Sequence, residues 1–248
     1  MNVIYILWLR QMKRYVRSKS RVIGALAQPL LYLLGMGFGL GPVFQRAGMG
    51  SYIQFIAPGL IAMTIQFTSV FSGIELIMDR QFGFLKETLV APVPRILIIF
   101  GRILGGTTVA FLQGLIFFAF CLIAGFRFHD WAALPVAFLF MVLIGILFTA
   151  IGSAIGSVMN DFQGFQFLIG FLIMPIFFLS GAMFPLSNLP PVLTVLTRLD
   201  PLSYGVDGLR HALGGVTQFA LGTDIAVLAL AAALMLVLAS YLFSKIQL

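Results

Sequence analysis

Charge is what this 248-residue sequence has least of: Asp, Glu, Lys and Arg make up 9% of it, against 60% hydrophobic residues. A soluble domain carries about 25% charged residues, so that class is excluded. The mean hydropathy of +1.07 says the same. There is one cysteine, Cys121, which excludes an intrachain disulfide framework. There are two histidines, His129 and His211, and no HExxH. Both fall in segments between apolar runs, so an intramembrane protease lacks its Ser–His pair and a metal site lacks its ligands. No catalytic residue and no resident metal are expected. GxxxxGK[ST] is also missing, so the chain has no P-loop with which to hold ATP.

What is present is a set of long uncharged runs, at residues 22–45, 47–74, 103–126, 131–160, 162–197 and 225–244. A helix needs about 20 apolar residues to cross a hydrocarbon core of about 30 Å. The fold class read from this is an all-α integral membrane protein with six transmembrane helices, at about 22–42, 53–77, 103–125, 133–158, 164–183 and 224–244. Residues 22–248 form one membrane domain behind an N-terminal segment, 1–21. Eleven of the 15 Lys and Arg lie before span one, between spans two and three, or after span six. The basic excess marks the cytoplasmic side, placing both termini inside, and it accounts for the net charge of +7 without nucleic acid. The basic segment is long and the first apolar run is span-length, so a cleaved signal peptide is not expected.

In residues 1–21, Ile4, Trp8, Met12 and Tyr15 recur on one side, and Arg10, Lys13, Arg14, Arg17 and Arg21 on the other. That segregation predicts an interfacial helix with its bases toward anionic headgroups. The plainer reading is a basic tail that sets topology. Span one is glycine-rich toward its outer end, and span four carries Gly145, Gly152, Ser153, Ala154 and Gly156, a face suited to close helix packing. Pro175 is expected to kink span five.

Asp79 to Arg95, DRQFGFLKETLVAPVPR, is a polar island between spans two and three. Phe84, Leu85, Thr88 and Leu89 share one face of a short helix, with Lys86 and Glu87 off it, and Pro92 and Pro94 stop it. This is the expected place where force from a partner enters. Between spans five and six, Pro185 to Thr223 is too long for a tight loop. Pro190-Pro191 opens one short helix; Asp200 caps a second, with Pro201 at its first position, ended by Gly214-Gly215. The pair reads as a re-entrant hairpin at about 185–215, which needs shielding by protein.

Glu75 is the one acid read as lying within reach of the membrane interior. Either it relays protons, or it pairs at the interface with a base such as Arg80 or Arg102; the absence of other buried acids favours pairing. Gln66 and Arg80 are its polar neighbours near a pathway. Phe67, Phe71, Phe165, Phe171 and Phe177 are candidates for a pathway wall, or for lipid-facing and core packing, which periodicity does not separate.

The 79–95 stretch resembles the inner loop after span two in the type-2 class of ABC transporter permeases, the membrane subunits of drug and polysaccharide exporters. Leu179-Ser-Gly-Ala-Met-Phe-Pro185, followed by Asp200-Pro-Leu-Ser-Tyr-Gly-Val-Asp-Gly-Leu-Arg210, resembles the same family's outer segment. The likeness covers essentially the whole chain and is nearest to bacterial drug-resistance and nodulation-factor exporters. It departs at Asp200 and Ser203, where the family often has Asn and Thr. The resemblance implies a homodimer meeting at spans two and five, in the inner membrane of a bacterium. Phe82 to Ala91, including Gly83 and Pro92 at its margins, becomes a coupling helix docked on a separate ATP-binding subunit. That partner holds ATP and Mg, and the N-terminal helix, with Trp8, touches it too. The outer hairpin, with Pro185, Asp200, Pro201, Tyr204, Asp207 and Arg210, becomes the exit gate. The Phe-rich spans favour a hydrophobic drug or lipid-like cargo over a polysaccharide or lipid-linked glycan. Two other classes stay open: a proton-coupled carrier using Glu75, and an anchoring subunit with no pathway.

Overall fold

The computed structural model describes residues 3–46, 48, 50–90, 92–128, 130–186, 189–215 and 217–246. Among them there are ten α-helices and no strand. They are α1 (Val3–Arg17), α2 (Lys19–Arg46), α3 (Tyr52–Gln81), α4 (Phe84–Val90), α5 (Arg95–Ile123), α6 (Leu134–Val158), α7 (Phe162–Leu179), α8 (Pro191–Leu199), α9 (Pro201–Leu213) and α10 (Leu221–Ser244). Six of these, α2, α3, α5, α6, α7 and α10, are long and apolar enough to cross a membrane, α6 together with a 3-10 turn at Trp131–Ala133.

Helix α3 is the axis of the bundle. It packs on α6, α5 and α2 and reaches α9, α4 and α7. Its approach to α6 depends on missing side chains. A Cβ added at Gly73 would stand 2.1 Å from the Gly152 carbonyl oxygen, and one at Gly156 would stand 2.6 Å from that of Gly73. Small residues let the two backbones touch, which is how helices associate where lipid removes the hydrophobic drive. The small-residue face of span four therefore meets α3. Helix α10 lies against α6 and α9, and α1 lies along α5.

Three span ends differ from expectation for reasons of charge and turn geometry. Helix α3 runs on past residue 77, and α5 begins at Arg95 rather than near 103. An uncharged run ends at Arg102, but Arg102 donates to Asp79, so the helix carries both charges as a pair. Helix α7 stops at Leu179 rather than 183, because Gly181 turns with φ of 73°. Pro175 lies inside a continuous α7.

Two ends of the bundle differ in kind. Helices α1 and α4 and the C-terminus of α10 share one; Arg95 donates to the carbonyl oxygens of Ser244 (2.5 Å) and Ile246 (3.0 Å) there. Helices α8 and α9 share the other.

Candidate functional site

The α1 end is built on matching helical spacings. Glu75 and Asp79 stand four apart on α3, and Arg10 and Arg14 four apart on α1, so each pair lies on one helix face. Arg10 donates to Asp79 Oδ1 at 2.6 Å and Arg14 to the same oxygen at 3.2 Å. Arg102 of α5 donates to Asp79 Oδ2. Arg21, at the start of α2, donates to Glu75 Oε1, and Arg14 lies 3.6 Å from its other oxygen. The partners of Glu75 are thus Arg21 and Arg14, not Arg80 or Arg102. Arg80 instead donates to the carbonyl oxygens of Ser157 (2.8 Å) and Met159 (3.1 Å) and to the Asn160 side chain, where a cation stabilises the end of α6.

Helix α1 is therefore not a helix with all its bases turned to headgroups. Arg10 and Arg14 turn inward to the acids, while Lys13 and Arg17 are exposed. Its buried face, Leu7, Gln11 and Tyr15, rests on α5, where Gly101 and Gly105 leave room for Leu7 and Gln11. Trp8 donates its indole N–H to Thr108 Oγ1 at 3.0 Å. Tyr15 donates to Gln113 Oε1 at 2.5 Å, and Gln113 donates to the Val22 carbonyl at 2.9 Å. Burial raises the Tyr15 phenol above its usual range, with Arg21 pulling it back.

Above this cluster a cavity of about 450 Å³ opens between α2, α3 and α5. Arg21, Glu75, Tyr15 and Gln113 line one end; Met63, Phe67 and Phe71 line the rest. Its size falls in the roughly 300–1,000 Å³ range of small-molecule sites. Of the five aromatic residues proposed for a pathway, Phe67 and Phe71 face this cavity. Phe165 and Phe177 do not: with Ile169 and Ile173 they form the buried stripe of α7. Phe171 is 77% exposed on the outer face of that helix. Gln66 is fully buried and donates to the Ile173 carbonyl (3.4 Å), tying α3 to α7 rather than facing a pathway.

Helix α4 begins two residues later than expected. Phe82 caps α3, and Gly83, with φ of 80°, makes the turn. Ala91 lies outside the described residues, and Pro92 and Pro94 separate α4 from α5. The expected apolar face divides. Leu85 is 0% exposed and packs with Leu7, Leu76 and Ile98, and Leu89 packs against the same group. Phe84 is 49% exposed under the Arg10 guanidinium, 5.8 Å from its ring centre. Phe82, Lys86, Glu87 and Val90 are exposed as well, and Thr88 is half-buried.

At the opposite end α9 is buried, and a Cβ on its Gly208 would meet the Phe140 ring at 2.1 Å. Asp200 caps it, accepting from Leu202 N at 2.9 Å, with Pro201 next, and Gly214 (φ 87°) ends it. Burial pushes the Asp200 carboxyl up to about 7. Tyr204 donates to the Arg198 carbonyl at 2.9 Å and stacks on Phe219. Asp207 accepts from the backbone of Gln218 (3.0 Å) and Phe219 (2.9 Å). Arg210 donates to the Gly181 carbonyl at 2.6 Å and covers the Phe55 ring at 4.2 Å. Burial brings its guanidinium down to about 10, opposed by Asp207. Pro185 is half-buried at the margin, while α8 exposes Val192, Val195 and Leu199. His129 lies outside the described residues, and His211 is exposed.

Asp79 and Gln113 are site residues that the sequence reading did not single out, while Arg102 and Tyr15 were read as a partner of Glu75 and as part of an apolar face. The paired i, i+4 spacing of acids and arginines was the available signal for Asp79. Nothing local marks Gln113, whose role needs three helices in place.

Comparison with known proteins agrees with this architecture. The profile of the ABC-2 type transporter family matches residues 2–213. Nodulation protein J of Rhizobium leguminosarum bv. trifolii is 31% identical over 215 residues, covering 85% of this chain and 78% of that protein. Inner membrane transport permease YadH of Escherichia coli (strain K12) is 28% identical over 229 residues, 90% of this chain and 87% of the relative. Nodulation protein J of Rhizobium meliloti (strain 1021) is 28% identical over 214 residues, 84% of this chain and 80% of the relative. With six helices fit to cross a membrane and a profile match over most of its length, the chain belongs to the ABC-2 type transporter family.

Proposed function

We propose that this chain is the permease subunit of an ATP-driven exporter in the inner membrane of a bacterium, with both termini cytoplasmic. Two copies form the pathway, meeting through α3 and α7, and each engages a separate ATP-binding subunit. The observation that carries the reading is the construction of α4. Leu85 anchors it to the bundle, while Phe82, Phe84, Lys86, Glu87 and Val90 are left free to meet another protein. It follows directly on α3, the axis of the bundle, so a push on α4 acts on the whole bundle. The ATP and Mg are held by the partner, whose differential affinity for two conformations supplies the drive. At the far end α8 and α9 close the exit, held by Arg210 on Gly181 and Asp207 on residues 218–219.

The cargo in this reading is a hydrophobic drug or lipid-like molecule, supported by the Phe67 and Phe71 walls of the cavity. Export of a polysaccharide or lipid-linked glycan is the second reading, favoured by the nodulation protein J relatives. A proton-coupled carrier is disfavoured because Glu75 is engaged by two arginines. The test is purification of the tagged chain from its native membranes. An ATP-binding protein co-eluting in equal amount, with ATPase activity, supports the proposal. A chain that comes out alone and still moves solute in proteoliposomes overturns it.

A further inference from the structure

The cavity between α2, α3 and α5 has a polarity gradient and a length of its own. From Glu75 to Met63, α3 advances 12 residues, about 18 Å at the usual rise of 1.5 Å per residue. Half of a hydrocarbon core of about 30 Å is about 15 Å. The cavity thus spans roughly one leaflet, with its charged end at the side where the basic helix α1 lies.

The charge at that end does not balance. Arg10, Arg14, Arg21 and Arg102 meet two carboxylates, Glu75 and Asp79. Arg102 and Arg10 are committed to Asp79, and Arg14 is divided between both acids. Arg21 shares its single acid with Arg14, and its side chain is 36% exposed at the cavity wall. The site therefore has unspent positive charge at its head and aromatic and methionine surface below.

We propose that this cavity is a binding site for an anionic phospholipid drawn from the leaflet on the α1 side. Arg21 receives the phosphate, where guanidinium geometry gives a strong charge-assisted bond. One acyl chain lies along Phe71, Phe67 and Met63. Glu75 holds Arg21 in place and moderates its attraction. This is the cavity whose Phe67 and Phe71 walls support a lipid-like cargo, so the proposal deepens that reading, and its test needs one chain and no ATP-binding subunit.

The test is native mass spectrometry of the detergent-purified chain, titrated with phosphatidylglycerol and separately with phosphatidylcholine. One phosphatidylglycerol per chain is expected, bound about tenfold tighter than phosphatidylcholine. Arg21→Gln removes that preference. Gly24→Phe obstructs the site: Gly24 lines the cavity, and a Cβ built there meets nothing within 4 Å, so the added side chain starts in open space. Glu75→Gln tightens phosphatidylglycerol by freeing Arg21, and Arg17→Gln, on the outward face of α1, changes nothing. Equal binding of the two lipids, or undiminished phosphatidylglycerol in Gly24→Phe, overturns the proposal. So does loss of binding in Glu75→Gln, which would make the carboxylate the recognising group. Should Arg21→Gln fail to fold, Gly24→Phe decides alone.

Discussion

Asp79 is 2% exposed and carries three arginines, one of them, Arg102, also buried. Removing one partner of a buried pair strands the other charge, a loss of about 3–5 kcal/mol. Asp79→Ala should accordingly lower the melting temperature in detergent far more than Arg10→Gln, which leaves Arg102 paired. Similar melting for the two would show that Arg10 and not Arg102 holds the acid. Asp200 offers a second residue-scale test through its titration. Its carboxyl is raised from 3.8 to about 7 by burial, so the folded chain holds a proton that the unfolded chain gives up. Stability from this group is complete below about pH 4 and falls as pH rises toward 7. Asp200→Asn keeps the cap and cannot ionise. Melting measured from pH 5 to 8 should flatten in that variant, and an unaltered slope would remove Asp200 as its source.

Among the elements, α4 separates anchoring from docking within seven residues. Phe84→Asp should leave the chain folded in the membrane and abolish co-purification of the ATP-binding subunit. Leu85→Asp places a charge in the packed group beneath and should reduce folded protein as well. Retained co-purification in Phe84→Asp argues that α4 is not the docking surface. Helix periodicity had put Phe84 and Leu85 on one face; the Arg10 guanidinium over Phe84, from a helix about 70 residues earlier, divides them. That pattern recurs. Helix count, the glycine face of α6, the cap at Asp200 and the break at Gly214 depend on local spacing and could be read from the chain. The partners of Glu75 and the core role of Phe165 and Phe177 are set by which helix lies opposite, and no local pattern carries that. Charge runs misplaced the start of α5 for the same reason, since Arg102 is a charge only until Asp79 is beside it.

For the whole molecule, α1, α4 and the end of α10 on one side and α8–α9 on the other make a labelling experiment direct. Cys121 is buried, so the natural chain gives no background. A cysteine at Val192, 72% exposed on α8, should react with an impermeant reagent applied outside intact cells, and one at Thr88 should not. The reverse result inverts the orientation. The ion pairs of α1 also carry a consequence for how the chain is made. Arg10, Arg14 and Arg21 leave the ribosome before Glu75 and Asp79 exist, and the glycine floor at Gly101 and Gly105 comes later still. Until then the first helix has only lipid headgroups to hold its bases. Its seat is completed by the third span, so α1 is synthesised before α3 and α5 but is seated only after both.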